Sequence, residues 1–132
     1  MYVTYNGFLA PWRNNLTDTR PFQGVVRHAD FGSLGSWTDL YRGTIGDARA
    51  SSANSLVSEI LGDYNFIDAA NSGAVAVWND ARNAAVCSAV DDFRAYLAGV
   101  GPQAPAPTPG SNCDATFGNT DIFSGVFPDP TP

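Results

Sequence analysis

Leu61-Gly62-Asp63-Tyr64-Asn65-Phe66-Ile67-Asp68-Ala69-Ala70-Asn71-Ser72-Gly73-Ala74-Val75-Ala76-Val77-Trp78-Asn79-Asp80-Ala81-Arg82 is the stretch that decides how this chain is read. Phe66 to Ala70 leads into Asn71-Ser72-Gly73, three residues that tolerate sharply turned backbone. Ala74 to Trp78 follows as an apolar, partly β-branched run without a charge, the pattern of a strand buried on both faces. A hairpin brings its two outer ends together. Asp63, Tyr64 and Asn65 therefore meet Asn79, Asp80 and Arg82, gathering carboxylates, a phenol and a guanidinium at one end of a sheet.

The same grammar extends outward. Tyr2 to Asn6 is an aromatic and β-branched first strand, Gln23 to Ala29 a second, and Trp37 to Tyr41 a third, with Gly-rich turn chemistry at Asp30 to Ser36. Ala10 to Pro21 reads as a polar loop. Gly43 to Ile60 reads as a long connection crossing from one sheet to the next, with Asp47 and Arg49 just before the hairpin; long ordered loops in compact β proteins are often functional. Ser88 to Leu97 is the single convincing helix. Ser88 stands as N-cap with Asp91 three residues on, Val86, Val90, Phe93 and Leu97 form the apolar stripe, and Gly99 supplies the stop. Asn119 to Phe127 returns as a last alternating strand. The expected fold is mainly β, built of antiparallel meanders.

Composition limits the partners. The chain has 132 residues, 44% apolar content and a net charge of −6, and all seven of its cations are arginine. That is one domain's length with a workable core. The charge argues against nucleic acid, which requires clustered cations. No apolar run approaches the ~20 residues of a bilayer-spanning helix. Met1 is followed at once by an alternating strand instead of a basic leader, so the chain reads as a piece of something longer.

Cys87 and Cys113 bracket a segment containing Gly-Pro-Gln-Ala-Pro-Ala-Pro-Thr-Pro-Gly. Closing such an excursion with a disulfide stabilises by ~3 kcal/mol in the chain-entropy view and implies a secreted or extracytoplasmic setting. Two unrelated buried thiols are the other reading. Zinc is not expected: His28 is the sole histidine and no cysteine pair has ligand spacing.

The residues also carry a family pattern. Leu61-Gly62-Asp63-Tyr64-Asn65, then Ala76-Val77-Trp78-Asn79-Asp80-Ala81-Arg82, then Thr120-Asp121-Ile122-Phe123 resembles the C-terminal part of secreted bacterial sialidase-like β-propellers of the BNR-repeat, exo-alpha-sialidase type. The likeness spans roughly residues 1 to 127. The nearest counterpart of the repeat Ser-x-Asp-x-Gly-x-x-Trp is His28-Ala29-Asp30-Phe31-Gly32, with Trp37 five residues past the glycine instead of three. The resemblance implies about two blades of an incomplete, six-bladed-type propeller, since a blade takes ~40–45 residues. Residues 1–45 would form the penultimate blade and 46–60 the connecting loop. Residues 61–127 would form the last blade, interrupted at 83–112 by the helical and Pro-rich insertion. The remainder of the propeller chain would then be a partner, and the missing fourth strand of the last blade would come from elsewhere.

For function, the resemblance implies glycoside hydrolysis on a glycan or other small-molecule ligand. It calls for an arginine cluster on the substrate carboxylate, a tyrosine activated by a glutamate, and an aspartate acid/base. Tyr64, Asp63, Asp80 and Glu59 are the catalytic candidates, and Arg49, Arg82 and Trp12 the substrate-binding ones. Each has a structural alternative. Tyr64 can simply anchor a turn, Asp80 with Arg82 can form an ion pair holding a corner, and Trp12 can be an ordinary surface residue instead of a sugar platform. No cofactor is expected; Asp63 and Asp80 ligating Ca²⁺ is the alternative. The competing class is a non-catalytic carbohydrate- or protein-binding surface module.

Overall fold

A computed structural model describes residues 1–11, 18–51, 61 and 65–131. The first sheet holds β1 (Tyr2–Phe8), β2 (Pro21–His28) and β3 (Thr38–Arg42), all antiparallel, in the order β1-β2-β3. A two-residue strand, β4 (Gly46–Asp47), pairs with Pro21 and Phe22 at the start of β2. The second sheet is β5 (Phe66–Ala70), β6 (Gly73–Asp80) and β7 (Asp121–Pro128), antiparallel in the order β5-β6-β7. The chain is thus mainly β with antiparallel sheets.

The hairpin at the centre of the sequence forms as its residues dictate. Ala70 pairs with Gly73, leaving Asn71-Ser72 as a two-residue turn, and Phe66 pairs with Val77. β6 then pairs with β7 along its whole length, from Gly73 opposite Pro128 to Asp80 opposite Asp121.

The sheets pack face to face. Val26 of β2 meets Ala76 and Trp78 of β6, with Leu40, Tyr41, Ile67, Phe123 and Phe127 packed around them. The Trp78 ring lies 5.0 Å from Tyr41 and 6.5 Å from Phe127, centroid to centroid, within the range where tilted aromatic pairs attract. Close approach is possible because β2 offers no side chain at Gly24. A Cβ there would lie 2.2 Å from Trp78 Cδ1, so the indole rests on bare backbone.

Two expectations change. The run Ala74 to Trp78 is buried on one face only: Ala74, Ala76 and Trp78 point into the core, while Val75 is exposed. Along β7, Ile122 and Val126 on that same outer face are 67% and 76% exposed. Alternation therefore describes the second sheet, because only its inner face meets another sheet. Secondly, the connection read as 46–60 starts with β4 and a 3-10 turn at Ala48–Ala50 instead of irregular chain.

The helix, α1 (Ser88–Leu97), has the predicted bounds but a different cap and a different buried face. Cys87 occupies the cap position and no side chain caps the first turn. Val90, Asp91, Arg94 and Ala95 are buried, whereas Val86 and Leu97 are exposed. Gly99 takes φ +71 past the helix end, a conformation that favours glycine. Val100 N–H then returns to the Ala95 carbonyl.

Cys87 and Cys113 are joined by a disulfide, Cα–Cα 5.1 Å. It closes the Pro-rich excursion, which includes a single helical turn, α2 (Pro109–Asn112). The bond fits an oxidising, extracytoplasmic compartment. No helix among the described residues is long and apolar enough to cross a membrane.

Candidate functional site

One polar constellation is built twice from the same triplet. Asp47-Ala48-Arg49 starts at the last residue of β4, and Asp80-Ala81-Arg82 at the last residue of β6. In each, the aspartate Oδ1 accepts the backbone N–H of the arginine two residues on, at 3.0 Å for Arg49 and 2.8 Å for Arg82. The same aspartate's Oδ2 takes the arginine's guanidinium, at 2.9 Å from Arg49 and 2.5 Å from Arg82. This is an Asx-type turn locked by its own ion pair. The alanine between is buried in both cases, and Ala48 and Ala81 share one small core cluster with Phe22, covered by Leu61 and Ala84. The two corners abut so closely that a Cβ on Gly46 would lie 2.7 Å from the Ala81 carbonyl carbon.

The arginines leave these corners in different directions. Arg82 reaches across both sheets: its guanidinium carbon sits 4.1 Å over the Phe123 ring of β7, and its Nη2 is 3.4 Å from the Tyr41 hydroxyl of β3. The Asp80 hydrogen bond, only partly offset by burial, pushes the Arg82 guanidinium well above its ordinary value. Arg49 instead donates through Nη1 to Asp91 Oδ2 of α1 at 3.2 Å, a buried contact. Burial alone would raise the Asp47 carboxyl. Hydrogen bonds from the Arg49 side chain and from the Arg49 and Arg20 N–H groups outweigh it and hold Asp47 below the usual carboxylate range.

The structure therefore brings Asp80 together with Arg82, and gives Arg49 to Asp47 and Asp91. Asp63, Tyr64, Glu59 and Trp12 lie outside the described residues. Among the described residues no group of three histidine, cysteine or carboxylate side chains is arranged to hold a metal ion. Two residues escaped the sequence reading. Asp91, third after the cap in the sequence pattern, faces inward to Arg49, and Arg94, 2% exposed, is among the largest fully buried side chains. Their spacing of three on one helix face was the available signal, masked by an apolar stripe one step around the helix.

A second feature lies on the outer face of the second sheet. A shallow depression of about 330 Å³ opens beside the β5–β6 turn. The small residues Ala70 and Gly73, the apolar Val75, Val126 and Pro128, and the polar Asp68 and Ser72 line it. No protein-family model, curated protein or solved structure matches this chain.

Proposed function

We propose that this chain is a non-catalytic binding module built from two successive units of a sialidase-like propeller, taking a neutral sugar or similarly sized hydroxylated ligand. The observation that carries the reading is the occupation of both arginines marked for a substrate carboxylate. Arg82 is held by Asp80, and Arg49 by Asp47 and Asp91. An arginine recruited for an anionic ligand needs an open fork, and here each fork is turned to a carboxylate of the chain itself.

The blade reading draws support from the succession of two antiparallel meanders, β1-β2-β3 and β5-β6-β7. It is also supported by the order of two antiparallel sheets packed face to face. A secreted protein would keep the Cys87–Cys113 bond oxidised. For the ligand, the depression at the hairpin end combines an apolar lining with a carboxylate and a hydroxyl, the pairing that suits the CH face and the hydroxyls of a sugar. Asp68 in its lining disfavours a sialate, whose own carboxylate would be repelled.

The test is a pair of measurements on the full chain. Titration with galactose, N-acetylglucosamine and N-acetylneuraminate, followed by amide shifts, should move Asp68, Ser72 and Val126 with the neutral sugars and leave them still with the sialate. A fluorogenic sialoside should show no turnover. Turnover that disappears in Arg82→Ala, or saturable sialate binding at Arg49 and Arg82, would restore the hydrolase reading.

A further inference from the structure

The sole histidine stands outside both features described above. His28, the last residue of β2, is 5% exposed. Its Nε2 lies 4.0 Å from Asp30 Oδ1 and 3.9 Å from Asp129 Oδ1. These carboxylates come from different parts of the fold: Asp30 follows β2 in the first sheet, and Asp129 follows β7 in the second. Asp129 is further tied to the second sheet by its N–H, which donates to the Ser72 carbonyl in the β5–β6 turn at 3.0 Å. The ring also meets Tyr2 of β1 in a tilted contact, centroids 4.7 Å apart.

We propose that His28 is a protonation-dependent clasp between the two sheets, which tightens when the imidazole takes a proton and pairs with Asp30 and Asp129. Imidazole is the side chain whose charge ordinarily changes between pH 5 and 8. In the neutral form Nε2 has two carboxylate oxygens nearby, both beyond hydrogen-bond distance. In the charged form both become attractive, and a partly buried ion pair resists screening by salt better than a surface one.

The neighbourhood is consistent with this. Among the described residues, the ionisable groups around the ring are Asp30, Asp129, the Tyr2 phenol and the Met1 ammonium, which donates to the Ala29 carbonyl at 2.7 Å. Arg27 is turned away and paired with Asp39 at 2.7 Å. Asp129 is held ionised chiefly by hydrogen bonds from Thr131, with His28 and Tyr2 adding to the effect. Burial, and then the negative charge of Asp129, pushes the Tyr2 phenol up, so it stays neutral. The clasp thus keeps a standing negative charge opposite the ring throughout the range in which histidine titrates.

Because the chain has one histidine, its ring resonance needs no assignment. Following that resonance from pH 4.5 to 8.5 in the native chain, in Asp129→Asn and in Asp30→Asn tests the idea. The midpoint should fall by about half a pH unit or more in Asp129→Asn and by a smaller step in Asp30→Asn, whose carboxylate is more exposed. Protection of the Asp129 amide, corrected for the intrinsic pH dependence of exchange, should rise several-fold as the ring is protonated. A midpoint that stays in place in both variants, or amide protection independent of the ring's charge, overturns the clasp. Asp30 is a surface loop residue, so Asp30→Asn keeps the test open even where Asp129→Asn weakens folding. Neither readout involves a sugar, so a failed ligand titration leaves the clasp untouched, and a failed clasp leaves the ligand reading standing.

Discussion

At the level of single residues, the corner at Asp80 is the most consequential piece of chemistry. Asp80 is 2% exposed and its carboxylate receives both the backbone and the guanidinium of Arg82. Removing one member of a buried pair leaves the other charge without compensation. Arg82→Ala should therefore destabilise the chain by about 3 kcal/mol in urea unfolding. The double change Asp80→Asn with Arg82→Ala should cost less than the sum of the singles. Additive losses would mean that the pair does not hold the corner. The sequence made this pair visible, since Asp and Arg two apart at a strand end have few other ways to meet. It did not show that Asp47 and Arg49 repeat the same turn, although the triplet is identical, because Gly46-Asp47 is too short to announce a strand. Nor did it show the direction of either guanidinium, which depends on Tyr41, Phe123 and Asp91, residues distant in sequence.

Among the elements, β2 is where the packing is tightest. It is buried along most of its length, and its Gly24 lies directly beneath Trp78. Gly24→Ala should cost about 1–3 kcal/mol through overpacking, seen as a lower urea midpoint with an unchanged slope, because a methyl at 2.2 Å from the indole must displace it. Unchanged stability would show that the sheets slide apart freely. The strands were largely legible: period-2 alternation and turn residues bracket β1, β2, β3, β5, β6 and β7 to within a few positions. The helix bounds were legible for the same kind of reason, yet its inward face was not. Hydrophobic periodicity selects Val86, Val90, Phe93 and Leu97, of which Val90 is buried while Val86 and Leu97 are exposed. The packed face instead includes Asp91 and Arg94, and Asp91 can be buried because Arg49 meets it from the 3-10 turn after β4. A pattern of apolar residues holds no record of a polar partner more than forty positions away.

For the whole molecule, carboxylates are spread through both sheets and several are engaged by donors. Hydrogen bonding by Arg42 holds Asp39 below the ordinary aspartate value of 3.8, Thr131 does the same for Asp129, and donors from Arg49 and Arg20 overcome burial at Asp47. A carboxyl depressed in the native state binds fewer protons there than in the unfolded chain, so its contribution is present above 3.8 and disappears as pH falls through and below that value. The melting temperature should consequently drop steeply below about pH 4. A melting temperature level down to strongly acidic solution would contradict the assignment. The sheet order and the face-to-face packing follow from these charges only in part. Their framework is the aromatic cluster of Tyr41, Trp78 and Phe127.

The Cys87–Cys113 bond has one more consequence, for peptide-bond cleavage. The exposed segment around Pro102, Gln103 and Pro105 lies wholly inside the loop that the bond closes. A protease cutting there would yield two polypeptides that remain one covalent particle, with β5 and β6 on one piece and β7 on the other. Such a particle would migrate as intact protein until a reductant is added, and then separate into one large and one small piece. The chain can be severed in sequence at this point while its second sheet stays joined.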